Sequence, residues 1–231
     1  MAKKRTTPPP AAPPAKTILV VDDHPVFRAG LIGLVNREPD LAVCGEADDA
    51  AQAFKAIERL RPDLVLMDMG LPDKSGLELL KDVRCAFPDL NVLIISMHDE
   101  TLFAERVLRA GGRGYIMKQQ GPDKMIDAIR RVLQGKISVS DSIQAQILDG
   151  LSAKNSGVTK RPTSSLTDRE FEVLQLIGHG KEPHEIAQHL HLSIKTVDTH
   201  RGHIKAKLGL RNGTELIHYA TRWVGEQSGL T

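Results

Sequence analysis

The chain of 231 residues carries 31 Lys+Arg against 29 Asp+Glu, with 41% hydrophobic and only 3% aromatic residues. That is room for two ordinary domains of α-rich or α/β type, and the scarcity of aromatics argues against an all-β protein. No apolar run is long enough to cross a bilayer and the start lacks the apolar core of a secretory signal, so a cytoplasmic protein without membrane contact is expected.

Cys44 and Cys85 form no close pair and no Cys/His metal pattern, and both are expected reduced and buried. Charge is balanced within each half, 17 Lys+Arg against 19 Asp+Glu over residues 16–138 and 8 against 8 over 165–231. Any affinity for nucleic acid must therefore come from a local patch.

Residues 1–15, with Lys3, Lys4, Arg5 and five prolines, cannot build a core and read as a disordered or polyproline-like tail. From Lys16 onward, apolar runs alternate with amphipathic stretches. Strands are predicted at Thr17–Val21, Leu41–Glu46, Leu64–Met67, Val92–Ser96 and Tyr115–Met117. Helices are predicted near 25–36, 50–60, 76–86, 100–110 and 122–134, with Pro25 and Pro122 in first turns. Five βα units imply an open parallel sheet with helices on both faces over residues 16–137.

A composition shift follows over 138–164, with Ile143, Ile147 and Leu151 marking one short helix before a polar stretch read as a linker. The remainder, 165–231, reads as a small all-α domain. Thr167-Asp-Arg-Glu170 is a capping box with Leu166 and Phe171 as its hydrophobic staple, Ser193 caps a helix to about Leu208, and Asn212 with Glu215 starts another. A helix near 183–190 begins at Pro183 without a Ser, Thr or Asn cap.

The chemistry gathers at strand ends. Asp22 and Asp23 end the first strand and Asp68 the third, and carboxylates crowded at the C-terminal edge of a parallel sheet cannot all stay ionised without a counter-ion. A hard divalent cation such as Mg²⁺ answers that need. Ser96 ends the fourth strand and Lys118 the fifth; a hydroxyl and an ammonium aimed at one crevice suit a transferred phosphoryl group, with Asp68 as nucleophile. An acid at a strand end is most often a cap or turn former, and Lys118 alone a surface residue. The convergence, not any one residue, carries the reading.

Leu19-Val-Val-Asp-Asp23, Leu64-Val-Leu-Met-Asp68 with Pro72 and Gly76, Ile95-Ser96, and Tyr115-Ile-Met-Lys118 followed by Pro122 resemble the receiver domain of two-component response regulators. The resemblance implies a flavodoxin-like (βα)5 fold and Mg²⁺ held by Asp22, Asp23, Asp68 and the carbonyl of Gly70. It also implies phosphoryl transfer from a sensor histidine kinase to Asp68, Lys118 pairing with the phosphoryl group, and Ser96 and Tyr115 as the moving switch. Gly70, lacking a side chain where many relatives have one, and Gln119-Gln-Gly121 are departures that remove no reactive group.

Glu185 to Ser193 followed by Ile194 to Arg201 reads as two helices joined by a tight turn. Val197, Ile204 and Leu208 form the buried stripe of the second, while Lys195, Arg201, Lys205, Lys207 and Arg211 give a basic strip suited to a phosphate backbone. Leu166-Thr-Asp-Arg-Glu170, Glu185-Ile-Ala187, Leu192-Ser193, Thr196-Val197, His200, Ile204 and Lys207-Leu208 resemble the LuxR-type helix-turn-helix of NarL-like regulators. That resemblance implies double-stranded DNA as partner, with Thr196, Arg201 and Lys205 on phosphates and Lys195, Asp198, Thr199 and Gly202 facing base edges. Acidic Asp198 and side-chain-free Gly202 depart from relatives, so the DNA sequence read does not follow from the family. Seven of the nine histidines lie in residues 165–231, and no spacing among them suggests a metal site.

The reading is a phosphorylation-controlled transcription regulator and not an enzyme, acting as a homodimer through phosphorylation or on DNA. Leu216, Ile217, Ala220 and Trp223 are candidates for either dimer contact or core. Aspartyl-phosphate phosphohydrolases also place Asp, Mg²⁺ and Lys at strand ends, but the acid-base Asp two residues after their nucleophile has no counterpart at His24 or Pro25. A ligand-sensing regulator needs an aromatic pocket, and the single Trp, Trp223, lies in the wrong domain. An adaptor that has lost DNA binding is the third alternative.

Overall fold

A computed structural model describes residues 14–72, 74–153 and 162–227. Most of the proline-rich tail and much of the expected linker fall outside the described residues. Five parallel strands, β1 (Lys16–Val21), β2 (Leu41–Ala47), β3 (Leu64–Asp68), β4 (Asn91–Ser96) and β5 (Gly114–Met117), lie in the order β2-β1-β3-β4-β5. Between and after them run α1 (Pro25–Val35), α2 (Ala50–Leu60), α3 (Gly76–Ala86), α4 (Glu100–Arg109) and α5 (Pro122–Leu133). Each boundary falls within a residue or two of the sequence expectation.

Strict alternation along the strands explains the layers, because successive side chains leave a strand on opposite faces. Leu19, Val21, Val65, Met67, Val92 and Ile94 pack with α2, α3 and α4 on one face. Ile18, Val20, Leu64, Leu66, Leu93 and Ile95 pack with α1 and α5 on the other. Both faces are covered, so these strands read as continuous apolar runs. Strand order reverses between β1 and β3, and their adjacent C-terminal ends form the crevice where open α/β sheets bind ligands.

After β5 and α5 comes α6 (Asp141–Ala153), longer than the short helix expected, and a 3-10 turn at Pro162–Ser165 that composition alone did not signal. Four helices follow: α7 (Asp168–Gly178), α8 (Pro183–His189), α9 (Ile194–Leu208) and α10 (Gly213–Gln227). The caps are as read. Thr167 and Glu170 form the reciprocal box at α7, the Ser193 hydroxyl accepts from Thr196 N–H, and Asn212 accepts from Glu215 N–H. Helix α8, lacking a short polar cap, uses the Glu185 carboxylate to accept the Glu182 N–H at 2.8 Å.

Helix α7 is buried on every side from Asp168 to Ile177 except at Arg169, because it lies between the other helices and the receiver. Its polar residues therefore need partners inside. Glu170 takes Lys207 at 2.6 Å, and Glu172 takes Arg169 and, from the receiver, the Ser75 hydroxyl, both at 2.8 Å. The apolar core is continuous across the two domains, through Phe103 of α4 against Phe171 of α7 at 5.2 Å between ring centres and Phe171 against Trp223.

One expectation is corrected here and one open alternative narrows. Both cysteines are free, but Cys44, on the edge strand β2, is only partly buried, and Cys85, in the last turn of α3, is exposed. Of the four α10 residues, Leu216 and Ala220 are buried and Trp223 packs on Phe171, which leaves Ile217 as the exposed apolar side chain of that set.

Candidate functional site

The crevice at the sheet's C-terminal edge gathers the strand-end residues. Lys118 Nζ lies 2.7 Å from Asp68 Oδ2 and 2.7 Å from Asp22 Oδ2, with all three side chains almost fully buried. Asp22 is further held by the His24 N–H on Oδ1 at 2.8 Å, and Arg28 donates to its carbonyl at 2.6 Å. Gly76 N–H donates to the Met69 carbonyl at 2.8 Å, closing the turn after β3. A Cβ on Gly76 would stand 2.2 Å from the Asp68 carbonyl oxygen, so only glycine permits this close approach.

Electrostatics follow from burial. Desolvation raises the Asp68 carboxyl above its ordinary value, with Lys118 pulling it down and Asp22 pushing it up. Burial alone would lower the Lys118 ammonium, yet Asp68 and Asp22 outweigh it and hold the amine above its usual value. Asp22 Oδ2 has Lys118 Nζ at 2.7 Å and Asp23 Oδ1 has His24 Nδ1 at 2.6 Å, and ligand atoms of Asp22, Asp23, His24 and Asp68 lie within 4.8 Å of one another. Three carboxylates this close, with one buried ammonium among them, fit a hard cation.

Ser96 is buried at the end of β4, its hydroxyl accepting from His98 N–H at 3.1 Å while its carbonyl takes the Lys118 N–H at 2.7 Å. Tyr115 is buried with its hydroxyl donating to the His98 carbonyl at 2.9 Å, and desolvation drives its phenol far above the ordinary value. His98 thus joins the two residues expected to switch. Its own imidazole is held near a pKa of about 4, chiefly by burial and then by neighbouring His189.

The sequence reading missed two histidines. His24, directly after the acidic pair, places Nδ1 2.6 Å from Asp23 Oδ1. His191, in the turn between α8 and α9 with a left-handed backbone (φ 52°), places Nε2 3.1 Å from Asp23 Oδ2. The adjacency of His24 to Asp22-Asp23 was a visible signal; the arrival of His191 from another domain left none.

On α9, Lys195, Asp198 and Thr199 are exposed, while Thr196, Arg201, Gly202 and Lys205 are partly so. Arg201 pairs with Asp198 at 3.1 Å, and the Thr199 hydroxyl donates to the Lys195 carbonyl. Val197 and Ile204 are fully buried and Leu208 partly, as the stripe required. Lys207 leaves the basic strip, since it is engaged with buried Glu170. His200 is half-buried, and its buried Nδ1 has no hydrogen-bond partner.

A model of the response regulator receiver domain matches residues 18–130, and one for bacterial regulatory proteins of the luxR family matches residues 164–220. The oxygen regulatory protein NreC of Staphylococcus aureus is 34% identical over 209 residues, spanning 89% of this chain and 96% of NreC. Among solved structures, a LuxR-family two-component response regulator from Aurantimonas is 34% identical with a TM-score of 0.56, over 60% of this chain and 99% of that one. RcsB of Salmonella enterica serovar Typhimurium, bound to promoter rprA in the presence of the phosphomimetic BeF3-, is 27% identical with a TM-score of 0.59, over 90% and 98%. A strand-edge cluster of acid, amine and hydroxyl joined to a capped helix-turn-helix, with relatives matching along nearly the whole length, places this chain among the DNA-binding two-component response regulators of the LuxR type.

Proposed function

We propose that Asp68 is the phosphoacceptor of a transcription regulator and that a sensor histidine kinase supplies the phosphoryl group. The observation that carries this is the Lys118 ammonium, 2.7 Å from both Asp68 and Asp22 in a buried crevice. An Asp68 carboxylate oxygen attacks phosphorus, the N–P bond of the kinase phosphohistidine breaks, and the electron pair stays on the leaving imidazole. Lys118 balances the charge on the phosphoryl oxygens, and the Ser96 hydroxyl turns from His98 N–H to donate to one of them. Asp22, Asp23, Asp68 and the carbonyl of Gly70 would hold Mg²⁺, which when bound supplies the remaining charge neutralisation.

Movement of Ser96 reaches Tyr115 through His98, whose N–H and carbonyl serve one residue each. The chain divides in this reading into a tail (1–15), a receiver (16–137), a connecting segment (138–164) and a DNA-binding domain (165–231). Thr196, Arg201 and Lys205 hold phosphates of double-stranded DNA, and Lys195, Asp198, Thr199 and Gly202 face the bases. Promoter-bound RcsB with BeF3- supports joining these two activities. The protein works in the cytoplasm as a homodimer formed on phosphorylation or on DNA, as paired half-sites require, and is a regulator, not an enzyme.

Incubation with acetyl phosphate and Mg²⁺ should add one acid-labile phosphate per chain. Asp68→Asn should abolish it, and labelling retained in that variant would place the nucleophile elsewhere.

A further inference from the structure

Helix α1 brings two consecutive side chains to the edge of the crevice. Pro25 sets its first turn, and the Arg28 guanidinium, 2.6 Å from the Asp22 carbonyl and 2.9 Å from Glu46, ties the helix to the ends of β1 and β2. Phe27, the residue before it, is half-buried and packs on the apolar layer that the sheet shares with α1 and α5. The Lys118 ammonium stands over the Phe27 ring, 4.6 Å from its centre. The Lys118 side chain is only 5% exposed and lies 2.7 Å from one oxygen each of Asp22 and Asp68, so a buried cation meets two acids and one aromatic face.

An aromatic face does here what a third oxygen would not. At rest Lys118 bonds to the acceptor carboxylate itself, yet in phosphoryl transfer it must leave that oxygen for those of the arriving group. A hydrogen-bond acceptor in place of the ring would hold the ammonium in one direction and compete with the phosphoryl oxygens. A π face attracts the cation through its quadrupole, most strongly where water is excluded, and sets no single donor direction. The ammonium can turn from Asp68 to the phosphoryl group and keep this neighbour throughout. Resting on the phosphoacceptor reading above, we propose that Phe27 is a positioning residue for phosphoryl transfer, its ring steadying Lys118 as the amine passes from carboxylate to phosphoryl oxygen.

Ring fluorination separates this role from packing, because it drains the negative face of the ring stepwise while nearly keeping its shape. The test compares full-length chains whose Phe27 carries no fluorine, one, two or three. Labelling by acetyl phosphate with Mg²⁺ should slow at each step, to about fivefold below the parent with three fluorines, at a constant urea midpoint. Phe27→Leu, apolar but without a π face, should lose at least as much. Equal rates along the fluorine series overturn the proposal, as does slowing that only follows a falling urea midpoint, or labelling of Phe27→Leu at the parent rate. A flat series in chains labelled only at Asp68 removes the role of Phe27 alone. Label retained in Asp68→Asn, or none in the parent, removes the phosphoacceptor reading as well.

Discussion

Asp68 carries two opposing pressures, burial that disfavours its charge and Lys118 that favours it, and burial prevails. A carboxyl raised above its ordinary value binds more protons in the folded state than in the unfolded one between the two values, so its contribution to stability is lost as pH rises through that window. In chelator at pH 7, Asp68→Asn should therefore have a higher urea midpoint than the parent. The gain should vanish below about pH 4, where the carboxyl is protonated in both states. A lower midpoint at pH 7 would show that the ion pair with Lys118 outweighs burial. At this scale most of the site was legible: Asp22, Asp68, Ser96 and Lys118 each end or closely follow an apolar run, and period and strand order then bring them together. His191 was not, because a turn residue in a second domain meets Asp23 only through packing that no periodicity encodes.

Among the elements, α9 shows how composition and placement diverge. Of the basic strip read along it, Lys207 is paired with buried Glu170 at 2.6 Å and Arg201 with Asp198, while Lys195 stays exposed. A contact to phosphate is blind to sequence, and a contact to a base edge is not. Lys205→Ala should weaken binding to all duplexes alike and reduce the salt dependence by about one phosphate contact. Thr199→Ala should instead change the ranking among duplexes at similar total affinity. A competition titration across a randomised site separates the two, and a uniform loss for both variants would remove Thr199 from the reading face. Helix limits were legible because caps and prolines mark them; the 3-10 turn at Pro162–Ser165 was not, since one of its contacts comes from the distant Arg106 of the receiver, which donates to the Thr163 carbonyl at 2.7 Å.

For the whole molecule, the join between domains is built around Arg106. Its guanidinium reaches the Leu166 carbonyl at 3.2 Å and Asp168 at 3.1 Å, and lies 3.9 Å over the Phe171 ring. Lys81 adds a second cation to Asp168. Arg106→Ala leaves Asp168 buried with one partner fewer, at a cost of about 3 kcal/mol. The expected readouts are a larger radius of gyration and faster proteolysis between the domains. Arg106→Lys should not restore the join, because a point charge cannot replace the planar fork. An unchanged radius in Arg106→Ala would move the weight of the join to Ser75 and Glu172.

The joined form leaves Lys195, Asp198 and Thr199 open to solvent while the receiver engages α7 and the turn before α9. On the proposed reading, concealment of these three residues is then not what separates the quiet protein from the active one. A short duplex with a solitary recognition element should be bound equally well before and after acetyl phosphate treatment, and the difference should emerge only when two elements at a fixed spacing demand that a pair of molecules land together. The signal, in such a protein, is spent on spacing and partnership.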